Sequence, residues 1–169
     1  MPPGVVLTTA RLSLRAMSMD DLDFVAAMLA DVEVMRHYPT THTRSEARAW
    51  IERQLRRYAA DGHGLWLAES RETRQGVGQV GLVAQHVEGV REAEVGYLIA
   101  RPHWRQGLAT EAAAGVRDWA FGVLGLRRVI SLIRPENTPS QGVARKLGMV
   151  REREVVHAGL RHVQFAVSA

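Results

Sequence analysis

The stretch HWRQGLATEA, His103 to Ala112, sets a loop with one glycine directly before a segment that has to be helical. Downstream, Leu108, Ala112, Val116, Trp119 and Val123 recur at intervals of four, four, three and four residues, which draws one apolar stripe along a helix. Upstream, EVGYLIA (94–100) is rich in branched and aromatic side chains and reads as a strand. A strand, a short loop with Pro102 and Gly107, then a helix N-terminus leaves several backbone N–H groups without intrahelical acceptors and aims them at one place. A phosphate is the ligand such a place attracts.

Other patterns offer competing chemistry and fail on context. GVGQVG (76–81) matches the dinucleotide fingerprint G-x-G-x-x-G, but no helix opens within it. The LVAQHVEG that follows alternates like a strand, and Glu94 falls too early for a ribose contact. SQGVARKLGMV (140–150) resembles the first helix and turn of a helix-turn-helix, yet VREREVVHAGL after it suits a strand and hairpin rather than a recognition helix. The seven histidines form no His-Glu-x-x-His pair, and the absence of cysteine removes disulfides, thiol nucleophiles and thiolate-ligated zinc, so no metal is expected.

At 169 residues and 46% hydrophobic content the chain is read as a single domain, residues 1–169, with one well-buried core. No run of 18 apolar residues and no signal-peptide pattern is present, so a cytoplasmic protein with no membrane partner is expected. The net charge is +4, and of 22 basic residues only Lys146 is a lysine. The arginines are scattered rather than clustered, which argues against a nucleic-acid surface.

The elements that must position the loop follow from periodicity. TARLSLRAM (9–17) reads as a first strand, and Asp20 as the cap of a helix over 21–30. A second helical turn is expected over Val32 to His37, and a third helix from Thr43 or Ser45 to about Ala60, stopped by DGHG (61–64). LWLAES, VGQVGLVAQHV and EAEVGYLIA form a meander. The 107–123 helix, a strand RRVISLIR (127–134), a short helix from Ser140 to Leu147 and two strands near 149–157 and 161–167 complete the chain. The order predicts a mixed α/β (α+β) fold around a mostly antiparallel sheet of about seven strands flanked by helices. A right-handed crossover through the 107–123 helix makes EVGYLIA and RRVISLIR, the fourth and fifth of those strands, parallel neighbours.

Three pieces in order, EVGYLIARPHWRQGLATEA, RRVISLIR and PENTPSQGVARKLGMV, together with TARLSLRAM, resemble the GCN5-related N-acetyltransferases (GNAT), and among them the group similar to the ribosomal-protein alanine acetyltransferases RimJ and RimL. Trp104 stands where the family's phosphate signature begins with Gln or Arg. The resemblance implies the GNAT fold, whose parallel pair splays apart, and acetyl-CoA as cosubstrate. It implies a primary amine as acceptor, either a protein N-terminus or a small molecule, and a monomer or homodimer.

It also assigns residues. The pyrophosphate would sit on the N–H groups of Arg105, Gln106, Gly107, Leu108, Ala109 and Thr110, with Arg101 a further candidate for the phosphates. The main chain of Leu98, Ile99 and Ala100 would align the pantetheine arm, Asn137 would reach the same arm or else cap a helix or turn beside Pro135 and Pro139, and an N–H near Leu98 would polarise the thioester carbonyl. Glu94 would be the base, at the position used by the histone-acetyltransferase branch, or else a strand carboxylate paired with an arginine or water. Many relatives place a tyrosine for the departing thiolate at the position of Ala144; Ser140 is the substitute, or else an ordinary helix cap. Acceptor specificity would lie near Arg36, His37, Tyr38 and His162. The alternative is a noncatalytic acyl-CoA-binding or interaction module on the same fold.

Overall fold

A computed structural model describes residues 4–169. Eight strands form one sheet: β1 (Val5–Thr8), β2 (Leu12–Arg15), β3 (Leu65–Ser70), β4 (Gly76–Val87), β5 (Val90–Ile99), β6 (Arg128–Ile133), β7 (Val150–His157) and β8 (Leu160–Ser168), in the order β1-β2-β3-β4-β5-β6-β8-β7. Every pairing is antiparallel except β5 with β6.

Four helices cover the two faces: α1 (Leu22–Ala30), α2 (Arg44–Asp61), α3 (Leu108–Gly122) and α4 (Thr138–Lys146). Strand alternation sorts β3 between them, since successive side chains point to opposite faces. Trp66 and Ala68 join Ala112, Ala113 and Val116 of α3 on one face, where Trp66 meets Trp119 edge-on at 5.0 Å. Leu65 and Leu67 join Val25, Leu29, Ala47 and Ile51 of α1 and α2 on the other.

Several local readings are borne out. Thr43 caps α2 in a reciprocal box with Glu46, and Gly62 closes that helix at φ 78°. The dinucleotide-like glycines belong to β4, where a Cβ on Gly81 would lie 2.0 Å from the Gly64 carbonyl and one on Gly78 2.4 Å from that of Leu98. Gly78 and Gly81 are glycines because neighbouring backbone passes too close for a side chain.

Four readings are corrected. TARLSLRAM is not one strand: Thr9 turns the chain, its N–H donating to the Leu12 carbonyl at 2.8 Å, so that β1 and β2 make a hairpin. VVLT, with no alternation to mark it, supplies the extra strand. The first helix is led not by Asp20 but by a 3-10 turn that Ser18 caps, with Asp21 closing the box. Residues 32–37 form turns and not a helix, organised by Asp31 Oδ1, which accepts from Glu33 N at 2.9 Å. The short helix starts at Thr138 and not Ser140, because Asn137 is its cap.

Candidate active site

The parallel pair holds together over a single register position, Glu94 opposite Ile130. Side chains then replace the ladder: Ser131 Oγ donates to the Val95 carbonyl at 2.7 Å, and Leu132 N–H donates to Glu94 Oε2 at 3.2 Å. Beyond that point β5 and β6 separate, and a cleft of about 840 Å³ passes between them from one face of the sheet to the other. Tyr97 of β5 spans the gap by donating its hydroxyl proton to the Ser140 carbonyl of α4 at 2.7 Å.

At one end of the cleft lies the 105–110 loop. Arg105 has φ 61° and Gly107, the N-cap of α3, has φ 76°, two left-handed residues that turn the backbone amides inward. Among the described residues none of the six N–H groups from Arg105 to Thr110 meets an acceptor; the ladder of α3 begins with Glu111 N donating to the Gly107 carbonyl at 3.0 Å. Gly107 is open, with Arg11 Nη2 at 3.6 Å from where a Cβ would be. Arg105, Gly107, Leu108, Ala109 and Thr110 line the cleft together with Lys146, which the sequence reading did not single out. Unmet donors, an open glycine and a cation fit a pyrophosphate.

The remaining loop residues divide. Gln106 turns its side chain to a separate hollow beside Arg11 and Arg71, leaving only its amide for the loop. Arg101 pairs with Asp31 at 3.0 Å and is absent from the cleft lining. Glu111 anchors α3 to the β1–β2 turn: Thr9 Oγ1 donates to it at 2.6 Å, and Arg11 donates through its backbone N at 2.9 Å and its Nε at 2.8 Å. Trp104 fixes the loop from the other side, its Nε1 donating to the Ile99 carbonyl at 2.7 Å.

The main chain of β5 is used unequally. Ala100 N donates to the Val77 carbonyl of β4, and the antiparallel register then turns the amides of Leu98 to β4 as well. The groups that face the gap are those of Tyr97 and Ile99. Of the triplet expected to align a pantetheine arm only Ile99 points the right way, and Ala100 is outside the cleft lining. An N–H offered to the gap is accordingly at Tyr97 or Ile99, one residue from the expected Leu98.

Glu94 lies at the fork. Its Oε1 accepts from Gln85 Nε2 at 3.0 Å and its Oε2 from Leu132 N, and among the described residues neither a partner arginine nor a salt bridge holds it. Burial raises its pKa, against the opposing pull of those two hydrogen bonds. Burial and the nearby Glu94 charge push the Tyr38 hydroxyl up to about 12, although part of its ring is exposed, and push the Tyr97 hydroxyl up as well. A carboxylate that is desolvated, lines a cleft and titrates above the ordinary range has the properties of a general base.

Asn137 and Ser140 also line the cleft, with exchanged roles. Asn137 Oδ1 accepts from Ser140 N at 3.2 Å, so Asn137 is the helix cap, and its amide NH₂ meets no acceptor among the described residues. The Ser140 hydroxyl, expected to be a cap, has no partner among the described residues. Ala144 is fully buried and outside the lining. On the far wall, Arg36, His37, Tyr38 and His162 all line the cleft, as do Trp50, Arg53, Arg57, Gln79 and Gln85, which no sequence motif marks. Trp50 Nε1 donates to Gln79 Oε1 at 2.9 Å, and the rings of His157 and His162 meet edge-on at 5.8 Å. Among the described residues no group of three or more His, Cys, Asp or Glu side chains is placed to hold a metal ion, and no helix is long and apolar enough to cross a membrane.

A mostly antiparallel sheet that forks at one parallel pair, with a phosphate-accepting loop at the head of the crossover helix, defines the GNAT class of acyl-CoA-dependent transferases. The chain belongs to that family: the model described as Acetyltransferase (GNAT) domain matches residues 11–150. It is similar to YkkB of Bacillus subtilis (strain 168), 35% identical over 144 residues that cover 85% of this chain and 84% of that protein. The crystal structure of an acetyltransferase from Agrobacterium tumefaciens str. C58 superposes with a TM-score of 0.84 at 25% identity, covering 96% of this chain and 94% of that one. RimJ of Mycobacterium smegmatis shares the fold with a TM-score of 0.77 at 22% identity, over 100% of this chain and 90% of that one. The protein is an acetyl-CoA-dependent N-acetyltransferase.

Proposed function

We propose that the chain acetylates an α-amine, that of a protein N-terminus or of a small molecule, by direct attack on the thioester, as a cytoplasmic enzyme of the RimJ/RimL-like branch contained in a single domain. The observation that carries this reading is the position of Glu94: its carboxylate sits where the strands part, in the same cleft as the unmet amides of residues 105–110.

The loop amides, with Arg105 and Lys146, hold the pyrophosphate, and Ile99, Tyr97 and Asn137 receive the arm that reaches inward. The attacking nitrogen has to be neutral. An α-amine with a pKa near 7.7 to 8.0 is neutral to roughly a tenth or more at pH 7, whereas a lysine amine near 10.4 is neutral at about one part in a few thousand. An α-amine therefore asks less of the base. The N–C bond forms as the C–S bond breaks, Glu94 takes a proton from nitrogen, and sulfur leaves as a thiolate. A hydroxyl is a weaker acid than a thiol, so Ser140 donates a hydrogen bond to that thiolate, and the proton that completes the thiol comes from solvent.

The test is release of free thiol from acetyl-CoA with a panel of peptides and small amines, in wild type and in Glu94→Gln. Glu94→Gln is expected to lower turnover near neutral pH by roughly 10² to 10⁴. Acetyl-CoA affinity stays near normal, and the deficit shrinks as pH approaches the amine's own pKa. Near-wild-type turnover at pH 7 would remove Glu94 from catalysis. Binding of acetyl-CoA without thiol release across the panel would favour a noncatalytic acyl-CoA-binding module, which the buried Ala144 at the tyrosine position allows.

A further inference from the structure

The acceptor side of the cleft has an uneven charge. Four arginines, Arg36, Arg53, Arg57 and Arg134, face two carboxylates, Glu33 and Glu94. Arg53 and Arg57 stand one turn apart on α2, a spacing at which like charges repel. Arg53 lies over the Trp50 ring with its guanidinium carbon 5.6 Å from the centroid, and Arg57 donates to Gln54 Oε1 at 3.1 Å. Among the described residues neither meets a carboxylate. Arg57 is half-buried, so its remaining donors are partly desolvated without a partner. Arg134 pairs with Glu136 at 3.3 Å, yet its buried Nε has no acceptor.

The register locates this pair relative to the base. Gln54 Oε1 also accepts from Leu65 N at 3.0 Å, which ties the Arg57 guanidinium to the head of β3. Leu65 lies opposite Gly81, and Gly81 opposite Gly96. Gly96 shares a face of β5 with Glu94, two residues away, and the Leu65 side chain lies over it, its Cδ2 3.2 Å from where a Cβ would be. The guanidinium donors of Arg53 and Arg57 and the carboxylate of Glu94 line the same cleft, with Leu65 between them. A carboxylate is the group that satisfies a guanidinium with two parallel hydrogen bonds.

We propose that the acceptor carries a carboxylate beside its reactive amine, the amine at Glu94 and the carboxylate on Arg53 and Arg57. This rests on Glu94 marking where the amine goes. It narrows the acceptors to free amino acids, or to N-termini with an acidic residue at the second position, and it disfavours polyamines, whose charge the arginines repel.

Paired acceptors that differ only in the carboxylate test it: an amino acid against its amide, Ser-Asp-amide against Ser-Asn-amide, with spermidine as the cationic control. Binding to the CoA-loaded protein is measured by calorimetry, and thiol release separately, with rates referred to the neutral-amine fraction. At least one carboxylate member should bind tenfold or more tightly than its neutral twin. In Arg53→Gln/Arg57→Gln that ratio should fall toward one while CoA affinity stays unchanged, which shows that the variant is folded. A shift in Glu94 titration would move both members of a pair together and leave the ratio intact. A ratio near one in wild type, a ratio that survives the double substitution, or tighter binding of spermidine overturns the proposal. Carboxylate-selective binding with no thiol release from any amine would sustain it and overturn the catalytic reading instead. Which pair shows the preference tells the free amino acid from the acidic N-terminus.

Discussion

The two ends of the cleft are built in opposite ways. The end proposed to take the phosphates consists of six consecutive residues whose backbone amides meet no acceptor among the described residues, fixed by two left-handed residues and a helix N-terminus. The acceptor end consists of side chains from the 32–39 turns, α2, β4, β5 and the β7–β8 hairpin, which meet only because the sheet brings them together. A backbone site depends on conformation and tolerates side-chain changes. A side-chain site depends on residue type and can be rewritten without disturbing the fold. Acetyl-CoA recognition is thereby separated from acceptor choice.

The contrast is sharpest at Gly107. Gly107→Val places a β-branched side chain where φ is 76° and amides converge, so CoA affinity should fall by roughly 10²-fold, the loss of about two charge-assisted hydrogen bonds. Gly107→Asp should act in the same direction, less strongly, because Arg11 lies within reach to neutralise the new charge. Calorimetry with CoA on the folded variants checks both; unchanged affinity would break the assignment of the loop.

Ser140 sits at the junction of the two ends and should show an intermediate effect. Because Asn137 and not Ser140 caps α4, Ser140→Ala should leave melting temperature and CoA affinity unchanged. Turnover should fall by about tenfold, as expected for one hydrogen bond to a developing thiolate. A loss of stability with unchanged turnover would return Ser140 to a structural role.

The smallest expected effect lies outside both ends, where the strands are still joined. Arg128 of β6 donates to Glu92 of β5 at 2.7 Å and to Glu152 Oε2 of β7 at 2.7 Å. Its hydrogen bonds hold the Glu152 carboxyl at about 2 against an ordinary 4.5, and burial opposes them only partly. A depressed carboxylate pKa adds stability that is fully present above the ordinary pKa and disappears as pH falls through the folded value. Unfolding midpoints should therefore decline between pH 4.5 and about 2. Glu152→Gln should flatten that part of the profile, with a modest effect because the group is only partly shielded from solvent. A profile identical to wild type would mean that Glu152 does not clamp the fork.

Much of this arrangement was legible beforehand, for reasons that differ by residue. The apolar stripe from Leu108 to Val123 and the glycine before it are local signals, so the helix and its loop were readable without knowing what lay opposite. The parallel neighbours followed from the handedness of one crossover. VVLT does not announce itself by period, since a four-residue edge strand has no alternation to count, and the choice between Asn137 and Ser140 as the cap of α4 is decided by which side chain reaches the Ser140 amide.

The sequence by itself determined most of the elements, the glycine-led loop ahead of α3 and the family resemblance, because each rests on interactions between residues close in the chain. Only the tertiary structure decided that Tyr97 and Ile99, rather than Leu98 and Ala100, turn their amides into the gap, since that depends on which edge of β5 pairs with β4. It also decided that Glu94 meets no arginine among the described residues and is raised by burial, and that Arg53 and Arg57 line the same cleft. Those are properties of neighbours far apart in the chain, and no local spacing encodes the desolvation or the field they create.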